Sequence, residues 1–229
     1  GPGCYTSMVK IKQLHRKLEN EFYSVERMLS HACISSGLSY PKALMDEALE
    51  DLMMMEFHDI LPGSAIKPVE ETGLRKGYHG LEILNRQKMK AFFALCSGQP
   101  KAKDGEIPIL AYNPLPYPVP GTFECEFMLA NMNVSGTFIN PVVFFNDVAL
   151  PSQCEKEESN FPMDWRKKVV FTAELQPMSV TRFDCKLNEL ESEISRMGIS
   201  MTDLANQFLQ PDSSKESEYV FEEAPRMPF

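Results

Sequence analysis

Apolar residues at Ile11, Leu14, Leu18, Phe22, Val25, Leu29 and Ala32 follow one another at steps of three and four, which draws a single stripe down a helix over residues 6–35. Thr6 or Ser7 suits the N-cap of that helix, and Gly37 suits a left-handed stop. Lys10, Lys17, Glu19, Glu21, Glu26 and Arg27 fall on the opposite face and read as solvated charge. A second helix is predicted to start at Pro41, a residue fitted to a first turn, and to end near Phe57. It offers Leu44, Ala48, Leu49, Leu52 and Met53 to a partner, with Met53-Met54-Met55 as core filler. Pro62-Gly63 then breaks the chain, and Ser64 is placed to cap the next helix. The third helix runs over 69–95, with Leu74, Tyr78, Leu81, Leu84, Ala91, Phe92 and Leu95 on its buried side. Gly73, Gly77 and Gly80 weaken its first half, but their missing side chains also let another helix come close. The expectation is an antiparallel three-helix bundle over 1–98.

The pattern changes after Gly98. Pro100, Pro108, Pro114, Pro116, Pro118 and Pro120 exclude continuing helix, so 99–121 reads as a Pro-rich linker with a first strand. Apolar and alternating runs at 107–112, 122–129, 141–150, 167–175 and 179–183, punctuated by turn residues, predict antiparallel strands. Asp164-Trp165 reads as the start of one of them, with the aromatic ring at a sheet edge. Leu187, Leu190, Ile194 and Met197 stand at helical spacing, which predicts a further helix over 186–211. A last strand-like run, Tyr219-Val220-Phe221, precedes the final residues. The fold class is therefore α+β and multidomain: the bundle, then over 122–229 an antiparallel β-sandwich portion, expected to be incomplete.

Composition narrows the function classes. A chain of 229 residues, 43% hydrophobic and 24% charged, is long enough for two small cores and ordinary for a folded protein. A net charge of −9 repels phosphate backbones and anionic lipid, so neither nucleic acid nor a membrane is the expected partner. No apolar run approaches the roughly 20 residues of a membrane span. Cysteines at 4, 33, 96, 125, 154 and 185 include no Cys-x-x-Cys pair, which argues against a zinc knuckle. Wide spacing and no signal peptide favour reduced thiols and a cytoplasmic setting, and make Asn133-Val134-Ser135 a chance sequon. Gly1-Pro2-Gly3 without an initiator Met suggests an excised piece of a longer protein.

Chemistry gathers at Glu56-Phe57-His58-Asp59-Ile60-Leu61-Pro62-Gly63-Ser64, where an imidazole and a carboxylate are adjacent at a helix end. A neutral imidazole is a common metal ligand, and the acid beside it could bind the same ion or accept a hydrogen bond from a substrate hydroxyl. Catalytic zinc needs about three protein ligands. His15, His31 and His79 have no second His, Cys or carboxylate nearby in ligand spacing, so further ligands would have to come from elsewhere. A helix C-terminal cap is the plainer reading of the pair.

Cys4-Tyr5-Thr6-Ser7, Arg16-Lys17-Leu18-Glu19-Asn20, Phe57-His58-Asp59-Ile60-Leu61-Pro62-Gly63-Ser64 and Ala111-Tyr112-Asn113-Pro114-Leu115, in this order and spacing, resemble glycoside hydrolase family 38 in its bacterial form. Those enzymes are zinc-dependent retaining α-mannosidases. The resemblance extends over about residues 4–185, strongest at the His-Asp motif, and Glu56 departs from it where bacterial relatives usually carry Gln. It implies that His58 is a zinc ligand and that Asp59 binds a sugar hydroxyl. It also implies that the other ligands, the nucleophile and the general acid belong to an N-terminal barrel outside this chain. On that reading the chain holds no catalytic residue of its own, is inactive alone, and is apt to form a homodimer through apolar surface that the barrel would cover. The rival reading is a self-contained helical-plus-β interaction module in which His58-Asp59 is only a cap.

Overall fold

The computed structural model describes Gly3 and residues 6–133, 137–158 and 164–191. Three helices come first: α1 over Val9–Ser36, α2 over Lys42–Met55 and α3 over Lys67–Cys96. The α1 stripe is buried as its spacing requires, with Ile11, Leu18, Val25, Leu29 and Ala32 fully enclosed. The helix stops at Gly37, whose φ of 68° lets its N–H turn back to the Ala32 carbonyl. Its start differs from expectation. Met8 is the N-cap, in a left-handed conformation with no side-chain cap. Thr6 Oγ1 donates instead to the Gly3 carbonyl at 3.0 Å, and Ser7 Oγ donates to the Gly63 carbonyl at 2.9 Å.

Helix α2 is rotated from the predicted stripe. Ala48 and Leu52 are buried as expected, but their companions are Met45, Asp51 and Met55, while Leu44, Leu49 and Met53 face outward. The spacing 45-48-52-55 is as helical as the one read from sequence, and only packing against α3 chooses between them. Of the three consecutive methionines, Met55 alone is core. In α3, Leu81, Leu84 and Ala91 are buried, and Tyr78 is exposed.

The reason lies in the glycines of α3. A Cβ on Gly77 would sit 2.4 Å from Met55 Sδ and 2.7 Å from Leu14 Cδ2, and one on Gly80 would sit 3.2 Å from both Asp51 Cβ and Leu18 Cδ1. The absent side chains let α3 lie directly against α1 and against α2, which touch each other less. Ser64 does not cap α3: Ile66 holds the N-cap position without a side-chain bond, and Pro68 occupies the first turn.

Seven strands follow among the described residues: β1 Glu106–Asn113, β2 Val119–Asn133, β3 Phe138–Phe145, β4 Val148–Ala149, β5 Ser152–Glu155, β6 Asp164–Leu175 and β7 Ser179–Leu190. They form two antiparallel sheets, β1-β7-β3-β4 and β2-β6-β5. The run at 141–150 is a hairpin, folded at Asn146-Asp147 with φ of 50° and 62°. Strand β5, short and polar, escaped the sequence reading. The helix expected from 186 onward is contradicted where it can be seen: residues 186–190 continue β7, pairing with β3 from Phe138↔Leu190 to Val142↔Lys186. Two apolar residues three apart fit a helix, but pairing along β3, inside the sheet, overrides so weak a signal. The remainder of that segment, and Tyr219-Val220-Phe221, lie outside the described residues, as do Cys4 and Tyr5. Ile109, Val143, Val169, Phe171, Leu175, Phe183 and Cys185 form the β core, where Phe171 of one sheet meets Phe183 of the other edge-on at 5.0 Å.

Tyr112 on β1 joins the two halves of the chain. Its ring packs on the helical core and its hydroxyl meets His31 Nδ1 at 3.0 Å, with burial raising the phenol above its usual range. Next to it the buried Asn113 donates to the carbonyls of Tyr117 and Leu175 and accepts from the Leu115 N–H, fixing the turn from β1 toward β2.

Candidate functional site

The site is a corner between α2 and α3. Glu56 closes α2 with its N–H on the carbonyls of Leu52 and Met53, and the chain then turns tightly, Ile60 and Leu61 both donating to the Phe57 carbonyl. Ile60 is 1% exposed and drives into the helices against Gly73 and Ile11, so its neighbours are turned outward. The His58 side chain is 77% exposed and that of Asp59 51%. Gly63, at φ 83°, supplies the left-handed step that ends the corner.

Within this corner His58 Nε2 lies 3.3 Å from Asp59 Oδ2, and Ser64 Oγ donates to Asp59 Oδ1 at 3.2 Å. The Asp59 carbonyl accepts the Ala65 N–H. The Phe57 ring lies 4.3 Å from the imidazole, tilted by 49°. The two residues singled out from sequence are therefore side by side, held by a braced loop and open to solvent. Among the described residues no group of three His, Cys, Asp or Glu side chains could hold a metal ion. One open imidazole with a carboxylate beside it would fill no more than one or two positions of a metal's ligand set.

Other imidazoles have carboxylate partners that spacing along the chain hid. His15 Nε2 meets Glu56 Oε1 at 3.2 Å, which gives the atypical Glu56 a structural task. His79 Nδ1 meets the buried Asp51 at 2.6 Å, Lys76 reaches the same carboxylate at 3.1 Å, and Glu47 stands 3.7 Å from His79 Nε2. These groups bridge α2 and α3. The available signal was Asp51 itself, an acid on the buried side of α2 once the register 48-52-55 is chosen.

Residues 2–92 match the family profile described as the alpha mannosidase middle domain. Over these residues, about two-fifths of the chain, it is similar to α-mannosidase middle domains. Among curated relatives, Alpha-mannosidase 2C1 of Mus musculus is 31% identical over 120 residues, which is 50% of this chain and 11% of that protein. The Homo sapiens form is 32% identical over the same length, and Alpha-mannosidase of Saccharomyces cerevisiae is 32% identical over 69 residues, 29% of this chain and 6% of that protein. The chain thus spans about a tenth of the curated relatives it matches. In fold it is similar to a glycosyl hydrolase family 38 protein from Enterococcus faecalis, with a TM-score of 0.67 at 16% identity over 80% of this chain and 25% of that one. An α-mannosidase from Enterococcus faecalis V583 gives 0.55 at 15% identity, over 77% and 24%. The profile match is confined to the helical half, and the likeness in fold, over 80% of the chain, reaches beyond it into the strands. No helix among the described residues is long and apolar enough to cross a membrane.

Proposed function

We propose that this chain is part of an α-mannosidase that hydrolyses α-mannosidic bonds with retention, and that it supplies one zinc ligand and one sugar-binding carboxylate to a site completed by another domain. In this reading residues 1–98 are an antiparallel three-helix bundle, 99–121 a linker with the first strand, and 122–229 part of a β-sandwich. The observation that carries it is the His58-Asp59 corner, braced by Ile60 and Ser64 yet open to solvent, in a chain whose matched segment is an α-mannosidase middle domain.

His58 presents one ring nitrogen to the ion, and Asp59 accepts a hydrogen bond from a sugar hydroxyl. Bound zinc supplies a charge that orients the sugar's hydroxyls and assists distortion of the ring. Retention requires two carboxyl groups about 5 Å apart, a nucleophile and a general acid. No residue here is assigned either role, so the isolated chain is inactive; we place it in the cytoplasm and expect it to pair with a second copy through Leu49, Met53 and Phe57, which are exposed.

The test is His58→Ala in the full-length protein, read as zinc content and p-nitrophenyl α-mannoside hydrolysis. Bound zinc should be lost and the rate should fall on the order of 100-fold or more. Unchanged zinc and rate would leave His58-Asp59 as a cap in an interaction module.

A further inference from the structure

Beyond its two exposed side chains, the corner is held by groups from the other end of the helical unit. Lys12, in the second turn of α1, donates from Nζ to the Ser7 carbonyl at 2.6 Å and to the Pro62 carbonyl at 3.2 Å. Ser7 Oγ donates to the Gly63 carbonyl at 2.9 Å and approaches that of Pro62 at 3.4 Å. Three carbonyl oxygens, two from the corner and one from the start of α1, thus converge on one ammonium and one hydroxyl. An ammonium carries three donors and can satisfy two carbonyls at once. Lys12 forms no ion pair among the described residues and is half-buried. The fit is close: a Cβ on Gly63 would lie 2.4 Å from Ser7 Oγ and 3.0 Å from Lys12 Nζ.

The corner is therefore fixed at three points. The end of α2 holds it before His58, Ile60 anchors its middle, and Lys12 with Ser7 holds its exit at Pro62-Gly63. Ile60 secures the fold of the segment but not the angle at which His58 and Asp59 leave it, because one apolar anchor leaves rotation about itself. The clasp at the exit removes that rotation. Metal and sugar sites require their groups within about 0.5 Å of the productive position. Resting on the reading of His58 above, we infer that Lys12, assisted by Ser7, is a positioning residue that sets the aim of His58 and Asp59 toward the zinc ion and the sugar.

The experiment uses the full-length protein with Lys12→Met, Ser7→Ala and His58→Ala, read by zinc dissociation under chelator competition, well below each variant's thermal midpoint. Lys12→Met should raise the zinc dissociation constant about 10- to 100-fold, the range for groups that orient a ligand, and Ser7→Ala should move it less in the same direction. A clasp that merely held the fold would lower the thermal midpoint and leave zinc affinity of the folded protein unchanged, and that result would overturn the inference. If Lys12→Met does not fold, Ser7→Ala decides by the same criterion. Zinc retained by Lys12→Met but lost by His58→Ala removes Lys12 alone, whereas zinc retained by His58→Ala removes the reading of the site and this inference with it.

Discussion

His79 Nδ1 lies 2.6 Å from Asp51 Oδ2, so an imidazole on α3 holds a carboxylate on α2 that is only 2% exposed. Lys76, one turn before His79, reaches the other oxygen of the same carboxylate. Both partners are about half exposed, which lets them keep much of their hydration and limits what the contacts contribute. Asp51→Asn keeps the shape and removes the charge. It should lower stability by about 1–2 kcal/mol, the range for hydrogen bonds to a charged group with partly solvated partners. Urea unfolding of the two proteins measures this. The change should shrink in a Lys76→Met background, and full additivity would show that Lys76 and Asp51 do not communicate.

Of the three glycines in α3, Gly77 leaves the least room for a side chain. Its replacement by Ala would improve helix propensity by up to about 1 kcal/mol. The new methyl group would meet Met55 and Leu14 at once, both in the core, and overpacking of this kind costs about 1–3 kcal/mol. We expect a net loss of roughly 1 kcal/mol, seen as a lower thermal midpoint. A gain in stability would mean that Met55 and Leu14 yield freely and that the close approach is not needed.

Burial pushes the Cys185 thiol from its usual 9.0 up to about 12, reinforced by repulsion between its thiolate and those of Cys125 and Cys154. The latter two pair with Val169 from either side, on β2 and β5. A raised thiol pKa means that the folded state holds its proton where the unfolded state has released it. This contribution is complete below pH 9 and fades as pH rises toward about 12. Cys185→Ala should therefore show a shallower fall in urea midpoint above pH 9 than the unaltered protein. Iodoacetamide at pH 8.5 should label Cys33, which is partly exposed and free, well before Cys185. Equal labelling of the two in the folded state would contradict the burial.

Much of this fold was written into local pattern. The α1 stripe and its Gly37 stop required no knowledge of partners, since a three-four spacing over many turns admits one face only. The corner at His58-Asp59 was legible too, from its Pro-Gly break and its family resemblance. Legibility failed where the signal was short or shared. Helix α2 has apolar residues nearly all round, so 44-48-49-52-53 and 45-48-52-55 were both defensible faces, and contact with α3 selected the second. At the end of β7, Leu187 and Leu190 fit the helical spacing alone, and hydrogen bonding to β3 settled them as strand.

The sequence by itself determined that three helices come first, that α1 stops at Gly37, and that an imidazole and a carboxylate share a helix end, because those depend on neighbours within a turn or two. Tertiary structure alone decided that Lys12 grips Pro62 across 50 residues, that Asp51 faces His79 across 28, and that Glu56 belongs to His15. Such contacts depend on how helices are rotated and how closely they approach. In this chain both follow from three glycines whose packing role appears only when the partner helices are in place.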